Sequence, residues 1–360
     1  MNIFTRRQFL HTTALASLAA IPQVGAQDTG ARPAKIRIGQ IGTAHAHAAG
    51  KMDTMRKSAE YEVVGVVEPD AERRAKAELS ATYQGVPWMT EEQLLNTPGL
   101  QAVAVETGIA DLVPTATRCI AAGKHVHLDK PGGESLPAFK ALLDDATRRK
   151  LTVQMGYMFR YNPAFTLCFR LLREAALGEV FSIDAQMSKL LGAGERKVLL
   201  PYRGGSMFEL GCHVIDAVIT VLGRPDKVTP HMRSVSALGD GWSDNDLAVF
   251  DYPHATATVR SAMVEVECGS RRNFIVCGTK GTLQIQPLEA PAARLALVAP
   301  HGEFKKGYQD VNFPKGGGRY DGDFADLAKV IRGEKALEFT PEHDLVTQET
   351  LMLACGLPLS

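Results

Sequence analysis

The sequence predicts an α/β fold in two parts. An N-terminal doubly wound parallel sheet is followed by a C-terminal α/β domain whose mostly antiparallel sheet keeps one face open. Three observations carry this. Short apolar strands alternate with helical runs between residues 35 and 157, the pattern of a parallel sheet crossed by helices. From residue 180 onward β-rich segments dominate, and 256–260 and 262–267 alternate as a half-covered antiparallel sheet does. Between the first two of these segments lies a helical stretch, beginning at 204–216 as GGSMFELGCHVID, that is apolar on most sides.

The totals exclude several classes. The chain has 360 residues, 45% hydrophobic, with 40 Lys+Arg against 40 Asp+Glu, which leaves no electrostatic footprint for nucleic acid. Six cysteines show no C-x-x-C and no regular spacing, so neither a zinc site nor a disulfide framework is expected. At the N-terminus, Thr5-Arg6-Arg7-Gln8-Phe9-Leu10 precedes a mildly apolar stretch and a small-residue site at Val24-Gly25-Ala26. This is the pattern of a twin-arginine export signal over 1–26, with a mature start near Gln27 and a periplasmic or exported destination. Its apolar part falls short of the ~20 residues that span a bilayer, so no stable membrane anchor is expected. Twin-arginine export carries folded proteins, which suits one that loads a cofactor in the cytoplasm and keeps it.

Taken in order, 36–41 (IRIGQI) is the first strand, and Gly42-Thr43-Ala44-His45-Ala46-His47 leads into a helix through Met52 and Met55. The first strand-to-helix turn of such a sheet is where a dinucleotide pyrophosphate sits. The usual G-x-G-x-x-G becomes Gly42-x-Ala44-x-x-His47, which keeps only the first glycine and gives Gly42, Thr43, Ala44 and His45 as cofactor-binding candidates. A strand at 61–67 ends in Glu68, at the distance where an acid takes the adenine ribose hydroxyls and disfavours a 2'-phosphate. NAD is therefore expected over NADP, with Arg73 and Arg74 close enough to oppose it; the alternative for Glu68 is a solvated strand-end acid. A helix over 70–79, a strand at 100–105 and a helix over 112–122 follow.

The fourth strand, 125–128, runs into Asp129-Lys130-Pro131. An ammonium at a strand end is placed to orient a substrate hydroxyl and polarise the carbonyl made from it. His45-x-His47 and His125-x-His127 invite a metal, but no third ligand joins either pair at a useful spacing, so none is expected. A strand over 151–157 completes the first domain, 35–156. The second, 157–340, opens with Arg160-Tyr161-Asn162-Pro163 and a helix through Leu172. Its strands are 181–188, 228–235, 247–252, 256–267, 273–278 and 281–285, and a helix over 321–332 follows. The C-terminal segment, 341–360, holds a last helix over 341–355. An open sheet face is a common oligomer surface, so a homo-oligomer is expected.

On the apolar helix, Glu209, His213, Asp216 and Thr220 are spaced four, three and four apart and share one sector. A carboxylate and an imidazole one turn apart on a buried helix supply general acid-base chemistry if they face a cleft, or satisfy each other if they do not.

Three stretches together, IRIGQIGTAHAHA, AAGKHVHLDKP and GGSMFELGCHVIDAVITVLGRP, resemble the Gfo/Idh/MocA oxidoreductases. Lys130-Pro131 is similar to that family's Glu-Lys-Pro motif, with Asp129 in place of Glu, and Gly211-x-His213-x-x-Asp216 matches its helix. The resemblance implies a Rossmann domain holding NAD or NADP and a second domain holding a sugar, cyclitol or related polyol. It implies that Lys130 orients the reacting hydroxyl and His213 takes its proton. Glu209 stands where many members have aspartate. Asp216 would orient His213 or touch substrate, while Arg160 and Tyr202 border the pocket, Arg160 being equally readable as a structural ion pair. Two further readings stay open: a redox-assisted glycoside lyase or hydrolase with retained NAD, and a non-catalytic sugar or dinucleotide sensor.

Overall fold

A computed structural model describes residues 33–236, 238–314 and 316–360. The predicted export signal lies outside the described residues. Residues Lys35 to Ser360 form one unit built on two sheets.

The first sheet holds β1 (Ile36–Ile41), β2 (Tyr61–Val67), β3 (Ala102–Val105), β4 (His125–Leu128) and β5 (Val153–Met155), all parallel, in the order β2-β1-β3-β4-β5. Its strands are buried on both faces, because helices cover each side. The connecting helices are α1 (Ala48–Lys57), α2 (Ala71–Glu78), α3 (Glu91–Leu95), α4 (Ile109–Ala121) and α5 (Leu136–Arg148). α6 (Pro163–Arg173) then leads out of this sheet, with Asn162 capping its first turn and Pro163 starting it where no donor is needed.

The second sheet contains β6 (Val180–Gln186), β7 (Lys227–His231), β8 (Asn245–Asp251), β9 (Thr256–Ala262), β10 (Asn273–Gly278), β11 (Gly281–Ile285), β12 (Ala293–Leu297) and β13 (Gly307–Val311). Its order is β13-β12-β11-β10-β6-β9-β8-β7, antiparallel except for β6 beside β9. Alternating burial along β8, β10 and β11 shows one covered and one open face, as the sequence predicts. Between β6 and β7 come α7 (Ala193–Leu199) and α8 (Cys212–Leu222).

α9 (Asp321–Ile331) and α10 (Pro341–Ala354) close the chain. α9 returns to the first sheet, where Phe324, Leu327 and Ala328 share a core with Ile36, Ile38, Met52 and Met55. α10 packs between α5 and α8. A chain that comes back in this way is not visible in local hydrophobic pattern, and it matters because both returning helices bring polar residues to the site.

Candidate active site

Strand register sets the first part of the site. Ile41 pairs with Val105, Val105 with Leu128 and Leu128 with Met155, so the next residues, Gly42, Glu106, Asp129 and Gly156, form a row along the carboxyl end of the sheet. Open α/β sheets bind ligands there, at the point where strand order reverses, here between β1 and β3. Gly42 has φ +93°, and a Cβ on it would lie 2.6 Å from the Thr107 nitrogen. Only glycine serves at such a crossing. At the other end of the row a Cβ on Gly156 would meet Lys51 Nζ at 2.7 Å, so its absence makes room for that ammonium.

Lys51 lies on the buried face of α1 beside Ala48, Met52 and Met55, and its Nζ donates to Asp129 Oδ2 (2.6 Å) and Glu106 Oε1 (2.9 Å). Two buried carboxyls sharing one cation do not ionise equally. Burial and Asp129 hold Glu106 well above the usual carboxylate range. Burial opposes the Asp129 charge too, but His45, Lys51 and His47 outweigh it and hold Asp129 well below its ordinary value. The charge of the row therefore rests on Asp129.

Asp129 gathers both histidines of the first turn. His45 Nδ1 is 2.9 Å from Oδ2, and His47 Nδ1 is 3.1 and 3.2 Å from the two oxygens. The second nitrogen of His45 lies 3.2 Å from the Lys130 carbonyl. Asp129 is the third group that sequence spacing did not supply to His45-x-His47. It comes from a different strand, and the three ligand-type atoms lie within 4.8 Å of one another.

Lys130 follows immediately and is buried, 1% exposed. Its Nζ donates to the Glu209 carbonyl at 2.7 Å and approaches Glu209 Oε1 at 3.5 Å. This carbonyl lies in a π-turn, Met207–Gly211, that precedes α8. Such a turn disturbs the i→i−4 ladder and is common at functional sites. The uniform α-helix expected over 204–216 is thus corrected. Burial raises the Glu209 pKa, but Lys130 prevails and lowers it; burial lowers that of Lys130, and Glu209 raises it. The pair is charged, and Glu209 Oε2 is buried with no partner among the described residues.

His213, one turn on, is 1% exposed and its Nδ1 has no partner among the described residues. Burial, then Lys130 and His47, hold its pKa well below the ordinary histidine value. No hydrogen bond joins Asp216 to His213 among the described residues, so the expectation that Asp216 orients His213 is not met. Asp216 accepts from Arg160 Nε (3.0 Å) and Arg160 Nη2 (2.7 Å) and pairs with His343 (3.1 Å). The same guanidinium reaches Asp344 at 2.5 Å. Arg160 thus forms the buried ion pair that the sequence allowed, with Asp216 and Asp344.

The cofactor end is more open. A cavity of about 500 Å³ is lined by Gly42, Ala44, Glu68, Arg73, Thr107 and Gly108 among others, and its lining stops short of Lys130 and His213. Thr43 donates to Glu68 Oε2 from its nitrogen (2.8 Å) and hydroxyl (2.7 Å), while Oε1 takes the Asp70 nitrogen (3.0 Å) and Arg73 Nη2 (3.2 Å). Burial raises the Glu68 pKa, and these bonds outweigh it and lower it. Glu68 is therefore an ionised acid fixed at the end of β2, not a freely solvated one. The Tyr202 hydroxyl lies beside Gly108, which puts this expected substrate residue on the rim of the cofactor cavity.

Sequence reasoning missed Lys51, Glu106, Asp323, His343 and Asp344. Lys51 had a readable signal, a lysine in the i, i+3, i+4, i+7 stripe of an otherwise apolar helix face. The carboxylates of α9 and α10 had none, because only the return of those helices makes them neighbours of the site.

The description "Oxidoreductase family, NAD-binding Rossmann fold" matches residues 36–157, and "GFO/IDH/MocA C-terminal domain" matches residues 166–284. The chain is 28% identical over 213 residues to the uncharacterised oxidoreductase YhhX of Escherichia coli strain K12, a match spanning 58% of this chain and 60% of that one. It is 25% identical over 309 residues to the trans-1,2-dihydrobenzene-1,2-diol dehydrogenase of Macaca fascicularis, covering 83% of this chain and 88% of that one. In fold it is similar to KijD10, a 3-ketoreductase of Actinomadura kijaniata solved with TDP-benzene and NADP. There the TM-score is 0.71 at 19% identity, over 88% of this chain and 96% of that one. The two matched stretches cover the first sheet and much of the second, and the chain belongs to the Gfo/Idh/MocA family of NAD(P)-binding oxidoreductases.

Proposed function

We propose that this oxidoreductase acts on a secondary alcohol of a sugar, cyclitol or related polyol, with NAD as its dinucleotide. The observation that carries the reading is the Lys130 ammonium, fixed at the end of β4 by the Glu209 carbonyl and carboxylate, next to the helix that bears His213. Residues of the Gly42–Ala44 turn and Glu68 would hold the dinucleotide, and the close crossing at Gly42 and the open space beside it fit such a group. When bound, it supplies the hydride acceptor. Lys130 orients the substrate oxygen and stabilises the negative charge it gains as its proton leaves. Glu209 keeps that ammonium in place, and its free oxygen is suited to a neighbouring hydroxyl. The dihydrodiol dehydrogenase is named for a vicinal diol and the 3-ketoreductase for a ketone, which supports the substrate class. The buried, ionised Glu68 supports NAD, since a 2'-phosphate there would face a second negative charge.

Reduction of NAD by the purified protein, followed by absorbance over a panel of sugars, cyclitols and dihydrodiols, tests the reading. Lys130→Ala is expected to lose about 10²–10³-fold in kcat; wild-type turnover in that variant would sink it. A second reading, glycoside cleavage through a retained dinucleotide, is favoured by the enclosure of Lys130 and His213, each 1% exposed. Release of aglycone from an aryl glycoside without added NAD and without net NADH would select it. Export by the twin-arginine route and assembly through the open sheet face belong to the same proposal. The mass of the exported N-terminus and the solution mass of the protein test them.

A further inference from the structure

A histidine that accepts a proton in catalysis needs two things. A carboxylate must hold the proton on one ring nitrogen so that the other presents its lone pair, and that carboxylate must balance the charge of the imidazolium once formed. His213 has neither: its Nδ1 is buried without a partner among the described residues, and Asp216 is committed to Arg160 and His343. His47 has both. Its Nδ1 lies 3.1 and 3.2 Å from the oxygens of Asp129, which as an ionised carboxylate only accepts, so Nδ1 carries the proton. Nε2 is left as the lone pair, and among the described residues no hydrogen bond engages it. The ring is tilted against His213, with centroids 5.9 Å apart, and against Tyr320 at 5.6 Å.

The sequence points the same way. His47 stands where the dinucleotide fingerprint has its third glycine, and Asp129 where the Lys-Pro motif has glutamate. These two departures are in contact with each other.

We propose that His47, held by Asp129, is the proton acceptor of the oxidation, and that His213 positions the substrate hydroxyl; this rests on the oxidoreductase reading above. The hydroxyl O–H bond breaks, its proton passes to His47 Nε2, and its electron pair becomes the second bond of the carbonyl. The hydrogen on the carbon leaves with its electron pair to an oxidised nicotinamide dinucleotide, which is thereby reduced. Asp129 offsets part of the burial that lowers the His47 pKa to about 4, so the imidazolium is short-lived and its proton passes on to solvent. His45 is a positioning residue: it holds the other side of Asp129 at 2.9 Å and ties it to the backbone of Lys130. A divalent cation among His45, His47 and Asp129 is the competing use of these atoms. It is disfavoured because Asp129 Oδ2 already takes the Lys51 ammonium at 2.6 Å, and that ammonium is also held by Glu106.

Two measurements on the full-length protein decide it. Long-range ¹⁵N NMR of the imidazoles at neutral pH, with no substrate needed, is expected to show His47 protonated at Nδ1 and bare at Nε2, and to lose that preference in Asp129→Asn. The opposite tautomer in the wild type, or ring signals shifted by stoichiometric zinc at micromolar concentration, overturns the proposal. In turnover, His47→Ala is expected to lose about 10²–10⁴-fold in kcat and to recover in part with added imidazole. His213→Asn is expected to act mainly on KM. Full activity of His47→Ala, or imidazole rescue of a His213→Ala variant alone, overturns it as well. A wild type that reduces no dinucleotide with any polyol sinks the functional reading instead, and the tautomer still decides the role of His47.

Discussion

Two buried charge clusters flank His213, and they are built from the same parts to opposite ends. In one, Lys51 joins Asp129 and Glu106; in the other, Arg160 joins Asp216 and Asp344. Each sets one cation against two carboxyls away from water. The difference lies in what remains over. Arg160 grips Asp216 with a planar fork, reaches Asp344 with the same nitrogen and stacks on the Phe339 ring, 4.2 Å from the centroid. Its Nη1 and Asp344 Oδ2 stay buried without hydrogen-bond partners among the described residues, and apart from His343 the two carboxylates hydrogen-bond no further side chain among them. Lys51 is a point charge, and Asp129 keeps enough acceptor capacity for His45, His47 and the Lys130 nitrogen. The comparison teaches that a buried ion pair can serve function when its carboxylate also holds side chains of the site, as Asp129 holds His45 and His47.

The sharpest way to break the comparison is to remove each cation. Arg160→Met and Lys51→Met both strand buried carboxylates, and each is expected to cost about 3–5 kcal/mol in denaturant unfolding. Only Lys51→Met is expected to change turnover as well, because it alone disturbs Asp129. If Arg160→Met, once folded, lost activity as severely, the second cluster would have to be counted in the chemistry.

A smaller effect, and one with a definite sign, comes from Asp323. It lies behind the first cluster, 3.9 Å from His127, and neither its oxygens nor the His127 nitrogens have a hydrogen-bond partner among the described residues. Burial pushes the Asp323 carboxyl up to about 8. The folded chain therefore keeps a proton that the unfolded chain releases, and stability falls as pH rises from the ordinary carboxylate range to about 8. His47, lowered by burial to about 4, with His127 and His213 also lowered by burial, acts oppositely. These rings make stability rise with pH, and their effect is complete once pH exceeds the ordinary histidine value. Asp344, pushed by burial up to about 6, has also finished by then. Between pH 6.5 and 8 the fall due to Asp323 stands clear of those groups, at most about 1.4 kcal/mol per pH unit. Glu106 shares its direction, so the quantity to measure is the difference between wild type and Asp323→Asn. The variant is expected to show a flatter stability profile across that window; parallel profiles would mean that Asp323 is ionised in the folded chain.

Much of the frame behind these effects was legible. β1, β2, β4, β10 and β11 occupy the residues that alternation and strand-end punctuation assign to them, because in those segments local pattern and burial agree. α5 was not among the predicted elements although Ser135 caps it and a proline follows at its start. β12 and the edge strand β13 were missed as well, being only five residues each. For the site, spacing was sufficient for Lys130, Glu209 and His213, which follow one another through a single strand end and a single helix. It misled for Asp216, because a residue on the correct helical sector still chooses the strongest neighbour, and Arg160 arrives from another element. The link from His47 to Asp129 was out of reach for the same reason, since register between β1, β3 and β4 makes it and no local spacing records register.

The smallest effect tests the comparison at its solvent-exposed limit. Arg73 bridges Glu68 Oε1 (3.2 Å) and Asp70 Oδ2 (3.4 Å) with its side chain 49% exposed, a cation between two carboxylates as in the buried clusters but screened by water. Arg73→Ala is expected to change unfolding free energy by about 0–1 kcal/mol, far below either buried cation. Its consequence should instead fall on cofactor choice. Arg73 is the group best placed to meet a 2'-phosphate, while Glu68 stays anchored by Thr43 and the Asp70 nitrogen. The variant is therefore expected to keep NAD affinity and to lose several-fold in whatever NADP binding the wild type has, with Glu68→Ala moving the ratio the other way. Titration of both dinucleotides against the three proteins measures it. A loss of NAD binding in Arg73→Ala equal to that of NADP would show that the arginine acts by holding Glu68 rather than by meeting the phosphate, and would place this half-exposed pair with the structural cluster after all.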